Sequence, residues 1–136
     1  MGNRSVPTDA VLPHVLYEDL EGAIAWLCAT FGFTEHYRYG EPASGAQLYL
    51  GRAVIMLKRG RPTRGLLTIF VGDVEAHYAR SRAAGAAIFE EIQETCYGER
   101  QYGVEDVEGN RWLFSQHVRD LSPADWGATV SVPPAS

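Results

Sequence analysis

Histidine side chains are the residues of this chain whose chemistry could most readily serve a ligand or a metal ion. His14 lies in the run VLPHVLY, which is typical of a strand, and His36, His77 and His117 are spread through the rest of the chain. Imidazole titrates near neutral pH, hydrogen-bonds organic molecules and ligates transition metals. We expect His14 to hydrogen-bond a bound small molecule or a neighbouring side chain, and the other three histidines to be structural or exposed.

Sequence patterns that indicate a specific catalytic or cofactor chemistry are missing. There is no GxSxG elbow, P-loop, GxGxxG strand–turn–helix or HExxH motif, so the commoner hydrolase, nucleotide-binding and zinc-protease mechanisms are not indicated. Cys28 and Cys96 have neither CxxC nor zinc-finger spacing, and we expect both to be reduced. No cofactor and no disulfide are therefore expected.

Length and charge restrict the class of protein. A chain of 136 residues with 46% hydrophobic and 21% charged residues is typical of one domain with a real core. The formal net charge of −5 disfavours a nucleic-acid partner, because phosphate binding uses clustered Lys and Arg. No apolar run reaches the roughly 20 residues of a membrane helix, and the N-terminus lacks the apolar core of a signal peptide. We expect a cytoplasmic location and no membrane partner.

The segment 97–118 is the clearest strand, turn and strand unit, and it must position several candidate residues. Asp106 can hydrogen-bond to its own turn backbone and Gly109 can adopt a positive φ, so a tight turn is predicted between them. Along the strand that follows, side chains alternate between two faces. Trp112 and Phe114 share one face, and Leu113 and Ser115 share the other. We expect Trp112 and Phe114 to pack beneath a helix and Leu113 to face a ligand.

An internal repeat predicts an α+β fold of two βαβββ modules. Each repeat reads as a strand, a helix that Asp19 or Asp73 caps and Gly32 or Gly85 ends, and three short strands. The predicted segments of this single domain are a first module at 11–57, a connection at 58–65, a second module at 66–118 and a C-terminal tail at 119–136. The connection, KRGRPTRG, is interpreted as an exposed linker, with an anion site as the alternative. Two such modules leave sheet faces bare, and the concavity between them is the expected ligand site.

Three stretches at the spacing of the repeat carry a family resemblance. They are DLEGAIAWLCATFGF, VGDVEAHYARSRAAGA and YGVEDVEGNRWLF. Together they resemble the glyoxalase, bleomycin-resistance and extradiol-dioxygenase superfamily, also called the vicinal oxygen chelate proteins. The resemblance covers about residues 11–118. It implies paired βαβββ modules that form a cupped mixed sheet, commonly within a homodimer, and in the enzymes a divalent metal ligated by His, Glu or Gln inside the cup.

The ligand positions that this resemblance implies are occupied by leucines. Counted from the helix caps and the final turn, they fall on Leu12, Leu66 and Leu113. Divalent metals in such a cup need oxygen or imidazole donors, which alkyl side chains lack. No metal is therefore expected in this cup.

The same alternation along the strands indicates a lining that is apolar and aromatic with a few polar groups, which suits an organic ligand. The candidate ligand-binding residues are His14, Leu16, Tyr49, Phe70, Tyr102, Leu113 and Ser115. No catalytic residue is assigned. Trp126, a lone tryptophan in a polar tail, is expected to dock on the rim of the cup or on a partner subunit.

Similarity to the bleomycin-resistance branch implies metal-independent binding of a small, partly aromatic organic molecule, as in antibiotic resistance or metabolite sequestration. Two alternatives stay open. One is a glyoxalase-like enzyme, a lyase, epimerase or dioxygenase, with a divalent metal held by other residues. The other is a dimeric interaction module without a ligand. A homodimer is expected.

Overall fold

The computed structural model of the protein describes residues 11–131. Its elements follow the predicted order, and a short 3₁₀ helix comes last. The first module comprises β1 (His14–Tyr17), α1 (Leu20–Phe31), β2 (Thr34–Tyr39), β3 (Gly45–Leu50) and β4 (Ala53–Arg59). The second comprises β5 (Leu66–Phe70), α2 (Val74–Ala83), β6 (Ala87–Glu94), β7 (Glu99–Glu105) and β8 (Arg111–His117), and the 3₁₀ helix is Pro123–Trp126.

Each module folds into a four-stranded mixed sheet. The strand orders are β1-β4-β3-β2 and β5-β8-β7-β6. In both sheets the first strand of the module pairs in parallel with the last, and the other pairs are antiparallel. The predicted α+β fold of two βαβββ modules is confirmed. The sheets stay separate, because no hydrogen-bonded ladder joins the edge strands β1 and β5 within residues 11–131.

The helices begin where the sequence predicts. The Asp19 carboxylate accepts a hydrogen bond from the Gly22 N–H, and the Asp73 carboxylate accepts one from the Ala76 N–H, each at 3.1 Å. Each cap satisfies a backbone donor that has no partner inside the helix. Gly32 ends α1 at φ 83°, the left-handed conformation that glycine adopts without a steric penalty. No helix in the described part of the chain is long and apolar enough to cross a membrane.

One face of each sheet packs against the helices, and we call the opposite face, turned away from α1 and α2, the inner face. Phe31, at the end of α1, meets the rings of Trp112 and Phe114 with centroids 5.8 and 4.8 Å apart. These two residues therefore pack beneath a helix, as predicted, and Leu113 lies on the inner face. The main strand residues of the packed faces are Val15, Tyr17, Leu48, Ile55, Leu57, Ile69, Tyr102, Val104, Trp112 and Phe114.

A buried carboxylate, Asp106, joins the two modules. Its Oδ2 atom accepts hydrogen bonds from the Tyr17 hydroxyl at 2.5 Å and from the Trp112 indole N–H at 3.0 Å. Its Oδ1 atom accepts from the backbone N–H groups of Glu108 and Asn110, each at 3.0 Å, which confirms the predicted turn. Burial raises the pKa of Asp106 and the four donors oppose that rise. Burial and the nearby carboxylate raise the pKa of Tyr17, so its hydroxyl stays a donor.

Backbone groups at the end of β1 add a second set of contacts between the modules. The Glu108 carboxylate accepts hydrogen bonds from the N–H groups of Glu18 and Asp19, at 2.7 and 2.8 Å. The Asn110 side-chain amide donates to the carbonyl of Leu16 at 3.1 Å. The turn between β7 and β8 therefore holds the first module as well as reversing the chain.

Two strand boundaries differ from the sequence-based expectation. β1 begins at His14 rather than at residue 11, because Pro13 has no N–H to offer a ladder. β4 continues through Lys58 and Arg59, into the predicted connection, because both residues pair in parallel with the end of β1. Lys58 is therefore a strand residue, and alternation along β4 places it on the inner face.

Candidate functional site

The inner faces bring together most of the predicted ligand-binding residues. They lie on both sides of the gap between β1 and β5, where the two modules meet. The residues on these faces are His14, Leu16, Tyr49, Phe70, Leu113 and Ser115.

Tyr102 differs from the other predicted ligand-binding residues, because it lies on the packed face rather than on the inner face. It pairs across the hairpin with Phe114, so it shares the packed face and is fully buried. Its hydroxyl lies 2.5 Å from His77 Nδ1 and 2.8 Å from Ser81 Oγ, and burial raises its pKa. The pairing of the two hairpin strands, counted from the turn, is the signal that would have put Tyr102 on the correct face.

His77 is a buried structural residue. The Phe31 carbonyl oxygen can only accept, so His77 Nε2 donates to it at 2.8 Å and Nδ1 accepts from the Tyr102 hydroxyl. Both ring nitrogens are therefore used in the neutral form, and burial lowers the pKa of His77. The residue ties the end of α1 to α2 and β7, and it has no part in the inner face.

The inner face of the first module is organised around Gln47, which no sequence motif indicates. Gln47 is fully buried, with Oε1 2.7 Å from His36 Nδ1 and Nε2 3.4 Å from both the Tyr37 hydroxyl and the Met56 sulfur. The available signal was a glutamine in the centre of the apolar strand AQLYL, alternating with residues of the packed face. A buried amide with these contacts gives a fixed polar surface rather than a reactive group.

The inner face of the second module exposes apolar side chains instead. Phe70 is 61%, Leu66 50% and Phe89 42% exposed. A hollow of about 490 Å³ lies between Phe70 and the β3–β4 turn at residues 51–53, which is the scale of an ordinary small-molecule site. Beside it, the Ser115 hydroxyl oxygen is buried without a hydrogen-bond partner among the described residues. This face therefore combines apolar area with two buried polar atoms that have no partner among the described residues, Ser115 Oγ and Glu99 Oε2.

A smaller cavity of about 120 Å³ lies in the gap between β1 and β5. His14, Leu66, Arg111 and Trp112 are among the residues that line it. Its volume is below the roughly 300 Å³ of ordinary ligand pockets. His14 is exposed and makes no hydrogen bond within residues 11–131, so the alternative of a bond to a neighbouring side chain is not formed among these residues. Its ring nitrogens remain available to a ligand.

The basic connection lies in a region of mixed charge. Arg61 and Arg64 share a hollow with the carboxylates of Glu18, Asp19 and Glu108. Since carboxylates outnumber guanidinium groups there, this surface does not favour an anion.

The positions at which the resemblance implies metal ligands carry side chains that cannot coordinate a cation. Leu66 and Leu113 lie on the inner face of the neighbouring strands β5 and β8, and Leu12 precedes β1. Within residues 11–131, no group of three or more His, Cys, Asp or Glu side chains comes together in an arrangement that could hold a metal ion. The residues present do not fit the divalent metal that the superfamily's enzymes use.

Trp126 lies at the rim of the second inner face, one of its two expected positions. Its ring meets that of Tyr97 with centroids 5.8 Å apart. The Tyr97 hydroxyl donates to Gln101 Oε1 at 3.2 Å, and Gln101 pairs with Ser115 across the hairpin. The rings of Tyr97 and Trp126 therefore extend the row of Phe70, Ser115 and Gln101.

Comparison with known proteins identifies the family. Residues 11–114 match the model of the glyoxalase/bleomycin resistance protein/dioxygenase superfamily. The chain belongs to this superfamily, which confirms the resemblance seen in its sequence.

Several relatives share most of the chain. TioX from Micromonospora sp. ML1 is 32% identical, with a TM-score of 0.74 over 81% of this chain and 99% of that one. A lactoylglutathione lyase from Agrobacterium tumefaciens shares the fold at 17% identity, with a TM-score of 0.67 over 81% of this chain and 94% of that one. An uncharacterised protein of Mycobacterium bovis is 25% identical over 140 residues, which cover 90% of this chain and 92% of that protein.

Proposed function

We propose that the protein binds a small, partly aromatic organic molecule against its inner faces without a metal. Such binding serves to sequester a drug or a metabolite. The observation that carries the proposal is the apolar surface of the second inner face, where Phe70, Leu66 and Phe89 are 61%, 50% and 42% exposed. Exposed apolar side chains on one sheet face, one of them, Phe70, beside a hollow of ligand size, are a usual sign of a binding surface.

Polar groups at the edges of this surface support the proposal. His14 on β1 and the Ser115 hydroxyl on β8 have no hydrogen-bond partner within residues 11–131. Apolar area supplies most of the affinity of a small-molecule site, and a few convergent polar groups fix the orientation of the ligand. Leucines at positions 12, 66 and 113 support binding without a metal.

The proposal includes a homodimer in the cytoplasm. Pairing of subunits is common in this superfamily, and a partner subunit would cover part of the apolar inner face. Light scattering on the purified protein should give twice the monomer mass at micromolar concentration. A mass that stays monomeric at every concentration would contradict the dimer.

The binding surface can be tested with the neutral fluorescent probe N-phenyl-1-naphthylamine. It should bind saturably to the folded parent protein, and Phe70→Ala should weaken binding by about 10- to 100-fold, because burying a phenylalanine contributes roughly 1.5 to 3 kcal/mol. Val107→Ala is the matched control, because Val107 is 50% exposed but lies in the β7–β8 turn. Equal binding by the Phe70 and Val107 variants would remove the inner face as the site.

The His14→Ala variant and elemental analysis distinguish a binding protein from the alternative, a metal-dependent enzyme. Loss of one hydrogen bond to a ligand should weaken affinity by at most about tenfold, whereas loss of a catalytic group costs about 100-fold or more in rate. Elemental analysis should find no stoichiometric Ni, Zn, Fe or Mn. One transition metal bound per subunit would replace this proposal by the metal-dependent enzyme.

A further inference from the structure

Lys58 is a cation on the inner face of the first module whose nearest strand neighbours carry no charge. It pairs with Leu16 on β1 and with Gly45 on β3, and it is half-buried. Among the residues that the structure describes, no carboxylate lies within ion-pairing distance of its ammonium group. Its neighbour in sequence, Arg59, pairs instead with Glu21 at 2.6 Å on the helix side.

The partner of Lys58 is a phenol rather than an acid. Lys58 Nζ donates to the Tyr39 hydroxyl oxygen at 2.5 Å and lies 5.3 Å from the centre of the ring. The Tyr39 ring is held against the sheet because position 45 is glycine: a Cβ atom there would lie 2.4 Å from the Tyr39 hydroxyl oxygen. The lysine and the tyrosine are therefore placed together by the sheet.

This pair leaves donors unused. An ammonium group has three N–H bonds and gives one to Tyr39, and the Tyr39 hydroxyl, which accepts that bond, keeps its own O–H. Two adjacent donors, one of them charged, match two oxygens of a carboxylate, sulfonate or phosphate.

The second module has a related arrangement that differs in charge. Arg111 lies over the ring of Phe89, 5.4 Å from its centre, and Phe89 covers Gly103 as Tyr39 covers Gly45. Arg111, however, faces Glu105 directly across the hairpin, and Phe89 has no hydroxyl. The carboxylate of Glu105 on the opposite strand offsets the charge of Arg111, whereas the strand neighbours of Lys58 carry no charge, so an acid is favoured at Lys58 rather than at Arg111.

We propose that Lys58 and Tyr39 form a subsite for an acidic group on the inner face of the first module, so that the ligand is an aromatic acid. The inference rests on the proposed function, since it names the chemical class of the molecule bound there. The apolar second module takes the rings, and the first module takes the acid.

Two probes with the same aromatic skeleton test the inference on the full chain. These are 8-anilino-1-naphthalenesulfonate, which is anionic, and neutral N-phenyl-1-naphthylamine. Lys58→Gln should weaken binding of the sulfonate by about tenfold, because a hydrogen bond from a charged donor is lost, and should change binding of the neutral probe by less than about twofold. Tyr39→Phe should weaken binding of the sulfonate alone, by about two- to fivefold.

Matched variants separate this subsite from general attraction between charges. Arg61→Gln removes the same charge from the nearby connection and should leave sulfonate binding within about twofold of the parent. Arg111→Gln tests the competing cation on the other inner face. Raising the salt concentration from about 50 to 500 mM should weaken sulfonate binding by the parent and have little effect on sulfonate binding by Lys58→Gln. Circular dichroism melting should show that each variant is folded.

The outcomes distinguish this inference from the function on which it rests. If neither probe binds the parent saturably, the proposed binding function fails. If both bind and Lys58→Gln weakens both equally or neither, the acidic subsite alone is wrong. Loss of sulfonate binding in Arg111→Gln but not in Lys58→Gln would likewise overturn it.

Discussion

The two modules share one topology but differ in where they bury polar side chains and where they expose apolar ones. In the first, α1 packs through an apolar stripe that includes Leu20, Ile24 and Leu27, and the inner face carries the hydrogen-bonded Gln47. In the second, α2 packs through polar groups that include His77, and the inner face exposes Phe70, Leu66 and Phe89 beside the buried Gln101. The duplicated fold therefore adds buried polar contacts on the helix side of the second sheet and leaves apolar area exposed on its inner side.

This difference gives the inner faces different roles. A buried, hydrogen-bonded amide fixes the first face and disfavours rearrangement. The second face leaves apolar side chains in water. These side chains stabilise the protein only when a ligand or another chain covers them. We infer that the first module determines the selectivity of binding and that the second supplies its area.

The largest expected effect is at Asp106, which both modules share. Asp106→Ala leaves the buried donors of Tyr17 and Trp112 without their acceptor, so the free energy of unfolding should fall by about 3 to 5 kcal/mol. Urea denaturation followed by tryptophan fluorescence and by circular dichroism measures this, and both signals should fall in one transition because the modules unfold together. Asp120→Ala is the exposed control and should change stability by less than about 0.5 kcal/mol. A loss below about 1 kcal/mol, or two separate transitions, would show that the modules do not depend on this contact.

Local patterns predicted the elements, whereas contacts between distant residues were not predicted. The helix caps at Asp19 and Asp73 and the turn at Asp106 follow from residue types a few positions apart. The bond from Tyr17 to Asp106 joins residues 89 positions apart, and no period in the sequence encodes it. The sequence therefore predicts the turn at Asp106 but not the hydrogen bond that its Oδ2 atom accepts from Tyr17.

In the candidate site, too, local patterns predict some positions and contacts between distant residues decide the others. Alternation along single strands placed His14, Phe70 and Ser115 on the inner faces. Tyr102 was misplaced because its face depends on the register between two strands. The basic neighbours of Lys58 predict a linker at this position, whereas its pairing with Leu16 keeps it in β4.

The second prediction compares the inner faces directly. Gln47→Met keeps the size of the side chain but removes the acceptor of His36, so it should lower the free energy of unfolding by about 1 to 3 kcal/mol. Thr68→Ala, at an exposed position on the inner face of the second module, should change it by less than about 0.5 kcal/mol. Urea denaturation of both variants measures the difference. Equal effects would mean that the first face is no more fixed than the second.

The smallest expected effect is a pair of opposite pH dependences. Burial lowers the pKa of His77, so its contribution to stability is complete above its unfolded pKa of about 6.5 and is lost as the pH falls through the folded value. Hydrogen bonds to Asp120 and Glu99 raise the pKa of the exposed His117, so its contribution is complete below about 6.5 and is lost as the pH rises through the folded value. Urea denaturation at intervals from about pH 5 to 8 should therefore show that His77→Gln flattens the acid side of the stability profile and His117→Asn flattens the alkaline side. The unfolded pKa of histidine is about 6.5. If the stability of His77→Gln has the same slope as that of the parent below this pH, the neutral His77 bridge from Phe31 to Tyr102 does not exist in solution. The polar packing of α2 would then rest on Ser81 and Tyr102 alone.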